Sequence, residues 1–434
     1  MRTQKAVMTA WMFARHPRQV FYGWWVTLAG TGLAAYTDGI GFWGFTNFFA
    51  AIVRHFGWPQ AIAAIGPSLH RLESGIAAPI TGAMVDRYGA RKVLVIGYIA
   101  AGCGCILMSQ IENLWQYYGS FIILAFGLSA GAFTVTSAAI NAWFRRYRGR
   151  ANGIMLVGPG LSGVLSGFWA LVIPEFGWRT VLFAAGIGFW VVGMLLIPLI
   201  RNRPEAYGME PDGGPAPESE TAPTARSSVL PDANYALRDV LRSRGYWQFV
   251  IASSLLGASW SVITFEALML SENGLTDRAI ALVFIWQTSS SIPIRVVAGT
   301  VADYIDKRVV LAVAIIVQGV AIVLFPLATE LWIAMIAGFL LGSAIGSQSS
   351  VRLALQAEYW GLAIFGRVVG IQQGLASIPS IIAPFAIGWL YDQTGSYLVG
   401  FMIVAAVLSI SLPLTLTMTR PKSTTADGVR LATT

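Results

Sequence analysis

The sequence predicts an all-α membrane protein of twelve transmembrane helices arranged as two six-helix halves. Three observations carry that expectation. Hydrophobic residues make up 56% of the chain and charged residues 12%, and the mean hydropathy of +0.64 is far from that of a soluble domain. Twelve apolar runs are each long enough to cross a hydrocarbon core of roughly 30 Å at about 1.5 Å per residue. Finally, one ungapped offset of 217 residues carries Gly57, Gly82, Asp86 and Arg91 onto Gly274, Gly299, Asp303 and Arg308. The same shift takes Gly149-Arg150 onto Gly366-Arg367 and Gly153-Ile154 onto Gly370-Ile371. Identities that hold one register this far mark a tandem duplication, and paired parallel repeats in a bilayer are a transporter architecture.

The runs fall near 21–50, 60–85, 92–110, 115–142, 150–173 and 178–200, then 246–270, 276–302, 309–328, 331–356, 367–391 and 397–418. Amphipathic aromatic rings settle at membrane interfaces, and Tyr22, Trp24, Trp25, Trp58, Trp115, Trp143, Trp178, Trp247, Trp332 and Tyr397 mark the ends of many runs. The expected organisation is a bundle over 1–200, a linker over 201–244, a second bundle over 245–418 and a tail over 419–434.

Charge sets the orientation. The net charge of +8 would suggest nucleic acid in a soluble protein, but the basic residues gather in short loops. Arg2, Lys5, Arg15 and Arg18 precede the first run; Arg87, Arg91 and Lys92, then Arg145 to Arg150, then Lys307 and Arg308 share that side. The opposite loops offer Arg54, Arg179 and Arg278. Both termini and the linker are therefore expected in the cytoplasm, with the protein spanning an inner or plasma membrane and touching lipid rather than nucleic acid. Met1–Pro17 lacks the apolar core of a cleavable signal, so the first run is expected to stay as the signal and anchor.

In 201–244 the first part is rich in Pro, Gly, Ser, Thr and Glu and is expected to be flexible. Ala233–Leu241 then sets Leu237, Val240 and Leu241 on one helical face, which reads as a short helix on the inner membrane surface or as a plain tether. Cys103 and Cys105, two apart in an apolar helix, make neither a disulfide nor a metal site, and His16, His55 and His70 show no ligand spacing. No nucleophile–base pattern is present either. The sequence thus implies no enzyme, no metal and no cofactor.

Gly82–Lys92 reads Gly-x-x-x-Asp-Arg-x-Gly-x-Arg-Lys. Gly82 suits a close helix approach, Asp86 can face a helix N-terminus, Gly89 suits a tight turn, and Arg87 and Arg91 hold the loop at the cytoplasmic side. This stretch resembles the signature loop between helices two and three of the major facilitator superfamily of secondary transporters. Its second copy, GTVADYIDKR, has Tyr304 in place of the arginine and Asp306 in place of the glycine. Further segments, YGWW, two FGW tripeptides, WFRRYRGRANGI, RNRPEAYGMEPDG and LYDQTGSY, resemble the bacterial branch related to monocarboxylate transporters and oxalate–formate antiporters. The resemblance runs over 21–418. It implies that Asp86 lies against the start of helix eleven near Arg367, so that Gly82, Asp86, Arg87, Gly89, Arg91, Asp303 and Arg367 form the gating set.

An ionisable group in mid-membrane costs about 3 kcal/mol or more and calls for a reason. Asp38, His70, Arg71, Glu73, Glu266, Arg295 and Arg352 are such groups. Asp38, Glu73 and His70 are the proton-coupling candidates, with Arg71 as their partner or as a substrate ligand; a buried ion pair that fixes packing is the structural alternative. His70 and Glu73 are expected to share a helix face. In the family that the chain resembles, an arginine at the place of Arg295 contacts the substrate carboxylate; a snorkelling arginine is the alternative. Arg295, Arg71, Tyr36 and Trp286 make up the expected substrate-binding set. Two departures from these families stand out, and the second, a missing lysine, weakens the match to a dicarboxylate carrier. Ser291 stands where mammalian relatives have an aspartate, and no lysine lies between Val368 and Tyr391. The expected function is alternating-access transport of a small organic anion, by proton symport or anion exchange. Proton-coupled export of amphipathic compounds is the rival, and a membrane sensor that kept the fold is a more distant one.

Overall fold

A computed structural model describes residues 21–131, 133–144, 147–213, 237–360 and 365–419. Helices occupy all the expected positions. In the first half they are α1 (Tyr22–Gly41, continued by Phe45–Phe56), α2 (Gln60–Ala63 and Ile65–Tyr88), α3 (Ala90–Ser109), α4 (Leu114–Ala130 and Phe133–Trp143), α5 (Arg148–Met155 and Val157–Phe176) and α6 (Trp178–Leu196). In the second they are α7 (Arg244–Ser259 and Ser261–Glu272), α8 (Asp277–Val301), α9 (Lys307–Leu324), α10 (Leu331–Trp360), α11 (Phe365–Thr394) and α12 (Tyr397–Leu416). Among the described residues, ten helical stretches are long and apolar enough to cross a membrane. The remaining two positions are α1, which breaks at Phe42–Gly44, and α2, which carries His70, Arg71 and Glu73 in its span.

The halves repeat each other in packing as in sequence. In the first, α1 packs on α5, α2 on α4, and α3 on α4 and α6; in the second, α7 packs on α11, α8 on α10, and α9 on α10 and α12. The repeat extends to backbone detail. Gly57 and Gly274, one offset apart, end α1 and α7 with φ of 62° and 89°, a left-handed turn that a side chain would strain. Between the halves, α5 packs on α8 and α2 on α11. Large apolar side chains such as Val191, Leu195, Val313 and Ile316 are exposed around the outside, as lipid contact requires.

Three side chains bond across the halves at the end carrying Trp58 and Tyr397. Asp392 of α11 accepts from the backbone N–H of Gln60 and of Ala61, each at 2.9 Å, and so caps the start of α2. Tyr397 donates to Gln60 Oε1 at 2.6 Å, and Thr46 donates to the Thr264 carbonyl at 3.2 Å. Gly388 lies so close to α2 that an added Cβ would stand 2.7 Å from the Ala61 nitrogen. Toward the signature-loop end, a Cβ at Gly82, Gly370 or Gly374 would meet nothing within 4 Å. The molecule is sealed at one end. Gly82, expected to allow a close helix approach, faces open space in this conformation.

The short helix before α7 is Leu237–Arg242; residues 233–236 of the expected segment lie outside the described residues. Val240 is fully buried against the ends of α7, α10 and α11, with Leu237 and Leu241 partly buried beside it. The apolar face predicted for lipid packs on the protein instead, because the bundle end offers Tyr246, Tyr359 and Trp360 as a ready apolar surface.

Candidate substrate cavity and gates

The site begins with a broken helix. At the α1 break the Asp38 carbonyl accepts from both Phe42 N and Trp43 N. Carbonyls freed by such a break have no water to bond in a bilayer and need protein donors. Trp169 Nε1 bonds the Gly39 carbonyl at 3.0 Å and Ser166 Oγ bonds that of Trp43 at 2.8 Å, so α5 holds the break open. α7 breaks at the equivalent place, Trp260. A cavity of about 340 Å³ lies between the halves at these breaks. Phe42 and Thr46 of α1, His70 and Arg71 of α2, Thr264 of α7 and Ser380 of α11 stand in its wall.

Arg71 spans the cavity. Its Nη2 donates to the Trp260 carbonyl at 3.3 Å, and its guanidinium carbon lies 6.0 Å from the centroid of the Phe42 ring. A guanidinium has five N–H donors, so others remain for a ligand in the cavity. Among the described residues no carboxylate pairs with it. The ion pair with Asp38 or Glu73 considered from the sequence is absent: Asp38 stays behind the α1 break, while Glu73 turns away to α4, where Ser129 Oγ donates to its Oε2 at 2.6 Å. His70 and Glu73, three apart, therefore diverge, His70 to the cavity and Glu73 to the neighbouring helix.

The other expected residues separate. Arg295 reaches across from α8 to α5, where its Nη1 donates to the Leu156 carbonyl at 2.8 Å. That carbonyl sits at the junction of the two α5 segments. Tyr36 points into the first half, bonding the Ala185 carbonyl at 2.9 Å and meeting Phe189 edge-on. Trp286 is 44% exposed and stacks on Phe339 at the outer surface of α8 and α10. Neither Tyr36 nor Trp286 lines the cavity: each lies on a helix face turned away from it.

In the signature loop, Gly89 takes φ 83° and separates α2 from α3. Arg87 lies over the Tyr88 ring at 5.4 Å, and the Arg91 N–H bonds Asn202 Oδ1 at 3.0 Å, tying the loop to the segment after α6. The side chains of Asp86 and Arg367 lie outside the described residues. In the second copy Asp303 is exposed. Asp306, in the place of Gly89, caps α9 by accepting from Arg308 N at 2.9 Å and pairs with the Arg308 side chain at 2.6 Å. A capping aspartate thus replaces a turning glycine.

Sequence reasoning gave Asp392, Gln60 and Tyr397 no part in a seal, yet they hold the closed end. A weak signal was present, since an aspartate in LYDQTGSY at the end of a membrane helix is poised to meet a helix N-terminus.

The sequence profile of the Major Facilitator Superfamily matches residues 31–269 and 250–432. The chain belongs to that superfamily. Monocarboxylate transporter 13 of Rattus norvegicus is 25% identical over 403 residues, covering 89% of this chain and 86% of its own. Monocarboxylate transporter 2 of Homo sapiens is 24% identical over 379 residues, 84% of this chain and 78% of its own. The crystal structure of a bacterial homologue of the human lysosomal transporter Spinster, inward-facing and occupied, superposes with a TM-score of 0.69 over 94% of this chain and 98% of that one, at 14% identity. A multi-pass membrane transporter of the Major Facilitator Superfamily, rather than an enzyme, is what family and fold support, and such a protein moves a small molecule.

Proposed function

We propose that this protein carries a small, monocarboxylate-like organic anion across the plasma membrane by alternating access, coupled to proton symport or anion exchange. One observation carries the reading: Arg71 lines the cavity between the halves with guanidinium donors to spare and no carboxylate among the described residues to neutralise it. A planar guanidinium matches a carboxylate with two parallel hydrogen bonds. His70 beside it adds a second polar contact, and Arg295 joins the anion path once the α5–α8 contact loosens. The relatives named as monocarboxylate transporters support the same substrate class. Asp38 and Glu73 are the proton carriers proposed for the first half. The basic loops put the termini and the signature loop in the cytoplasm, so the conformation described is open inward, and Asp86 with Arg367 is the proposed gate that shuts that side.

Phe42, Phe45, Phe121 and Ile263 also wall the cavity, which keeps amphipathic export as the second reading. Proteoliposomes separate the two. Purified protein is reconstituted and uptake of labelled formate, lactate, pyruvate and oxalate is measured with and without a pH gradient, and by counterflow. Accumulation or exchange of a monocarboxylate is the expected result. Transport of none of these, with pH-driven movement of a lipophilic cation instead, would establish export.

A further inference from the structure

Behind the cavity wall lies a buried acid that the proposed anion site does not use. Glu266 sits on the second segment of α7, two residues after Thr264, and is 0% exposed. Gln287 of α8, also 0% exposed, donates through Nε2 to Glu266 Oε2 at 3.3 Å. Each side chain keeps one oxygen, Glu266 Oε1 and Gln287 Oε1, that is buried and receives no donor among the described residues. Exchanging the amide's O and N would not supply the missing donor. An ionised carboxylate left this way, with no cation, is among the costliest arrangements a protein interior can hold. One proton resolves it. A protonated carboxyl donates from one oxygen and accepts at the other, which matches the donor and acceptor of a primary amide in a two-bond ring.

Among the described residues no ion pair reaches Glu266. Glu272 lies six residues along α7 and is bonded by Tyr391 of α11; Asp277 and Arg278 precede Gln287 by ten and nine residues on α8; Arg54 and His55 follow Thr46 by eight and nine on α1. At 1.5 Å per residue these are about 9, 14 and 12 Å along their helices. Asp392 of α11 is held at the start of α2. On α12, Tyr397 meets Phe265 through its ring and bonds Gln60, and α10 presents Gly338 and Gly342 to Gln287.

The acid also stands at the seal. Thr46 of α1 bridges its turn, donating to the Thr264 carbonyl at 3.2 Å and accepting from Ala267 N at 3.4 Å. We propose that Glu266 and Gln287 form a proton-holding pair, and that α1 and α7 close over this turn only when Glu266 carries its proton. The proposal rests on the alternating-access reading and adds to it a second, separate proton site in the other half. When the halves part at this end, water reaches the turn and the proton can leave; closing over the resulting carboxylate is then opposed until a proton returns. Low pH on this side speeds closure.

Two measurements on purified protein, neither needing a substrate, test this. Infrared difference spectroscopy at neutral pH should show the carbonyl band of a protonated carboxylic acid that is lost in Glu266→Gln. In Gln287→Met the band should persist and move to higher frequency as its hydrogen bonding is lost. Spin labels at Glu112 and Glu330, exposed on opposite halves at the sealed end, then report opening in protein lacking Cys103 and Cys105. Raising the pH should shift the wild type toward the separated distance, up to tenfold in population per pH unit above the acid's pKa, and Glu266→Gln should stay closed and pH-independent. An infrared spectrum unchanged by Glu266→Gln would overturn the proposal, as would an undiminished pH response of the labels in that variant. Failure of carboxylate uptake in proteoliposomes would count against the anion reading and leave both of these results standing.

Discussion

Arg71 and Arg295 share a role that their positions in the sequence conceal. Each leaves its own half and donates to a backbone carbonyl at a helix break in the other, Trp260 for Arg71 and Leu156 for Arg295. A break in a membrane helix frees carbonyls that lipid cannot satisfy, and a guanidinium can bond one while keeping donors for a ligand. The cavity distinguishes the two, since Arg71 lines it and Arg295 does not. Arg71→Gln is therefore expected to weaken carboxylate binding by roughly ten- to a hundredfold, the equivalent of about 1.5–3 kcal/mol for a charged hydrogen bond. Arg71→Lys, which keeps the charge and loses the fork, should fall between. Arg295→Gln should cost less in binding and more in thermal stability, because it leaves the Leu156 carbonyl without its donor. Thermal shift in detergent with a monocarboxylate that stabilises the wild type reads both quantities. Equal losses of binding in Arg71→Gln and Arg295→Gln would place both arginines on the anion. That an arginine lay at this depth was legible from the sequence. Which way it pointed was not, because neighbouring residues on a helix diverge by about 100° and only the packed halves decide which direction meets a carbonyl.

The helices themselves were the most legible elements. Length, aromatic ends and one repeat offset placed them all, because lipid demands the same long apolar rod each time. The latch between them was illegible, since Gln60 and Asp392 stand 332 residues apart in the chain. The latch rests on a helix N-terminus whose first amides point at the acid, and that geometry favours a full negative charge. Asp392→Asn keeps the shape and one acceptor but loses the charge; Asp392→Ala loses both. Loss of an N-cap costs about 0.5–2 kcal/mol, so the population open at this end should rise roughly two- to thirtyfold in Asp392→Ala and less in Asp392→Asn. The spin-label distance between residues 112 and 330 measures it. No change in Asp392→Ala would mean that apolar contacts such as Phe49 on Phe265, 5.6 Å between ring centroids, hold the seal alone.

At the scale of the whole molecule, the proposed cycle hinges the two repeats against each other, and α11 reaches both ends of that motion. Near one end Gly388 packs on the backbone of α2, where an added Cβ would stand 2.7 Å from Ala61 N and from the Gln60 carbonyl carbon. Fourteen residues earlier, about 21 Å down the same helix, a Cβ at Gly374 meets nothing within 4 Å. One substitution placed at either glycine should therefore act in opposite senses. Gly388→Val wedges the sealed end, and overpacking of about 1–3 kcal/mol should shift the resting equilibrium toward separation there by roughly five- to 150-fold. Gly374→Val leaves the sealed end undisturbed and adds bulk where the halves must approach when the open end shuts. It should keep the present conformation, retain carboxylate binding and slow turnover. Label distances at the sealed end should lengthen in Gly388→Val and stay short in Gly374→Val, while counterflow falls in both. Should Gly388→Val keep the short distance with normal counterflow, α2 yields locally and the halves do not move as rigid bodies. That outcome would remove the rocking motion on which the proposed transport cycle is built.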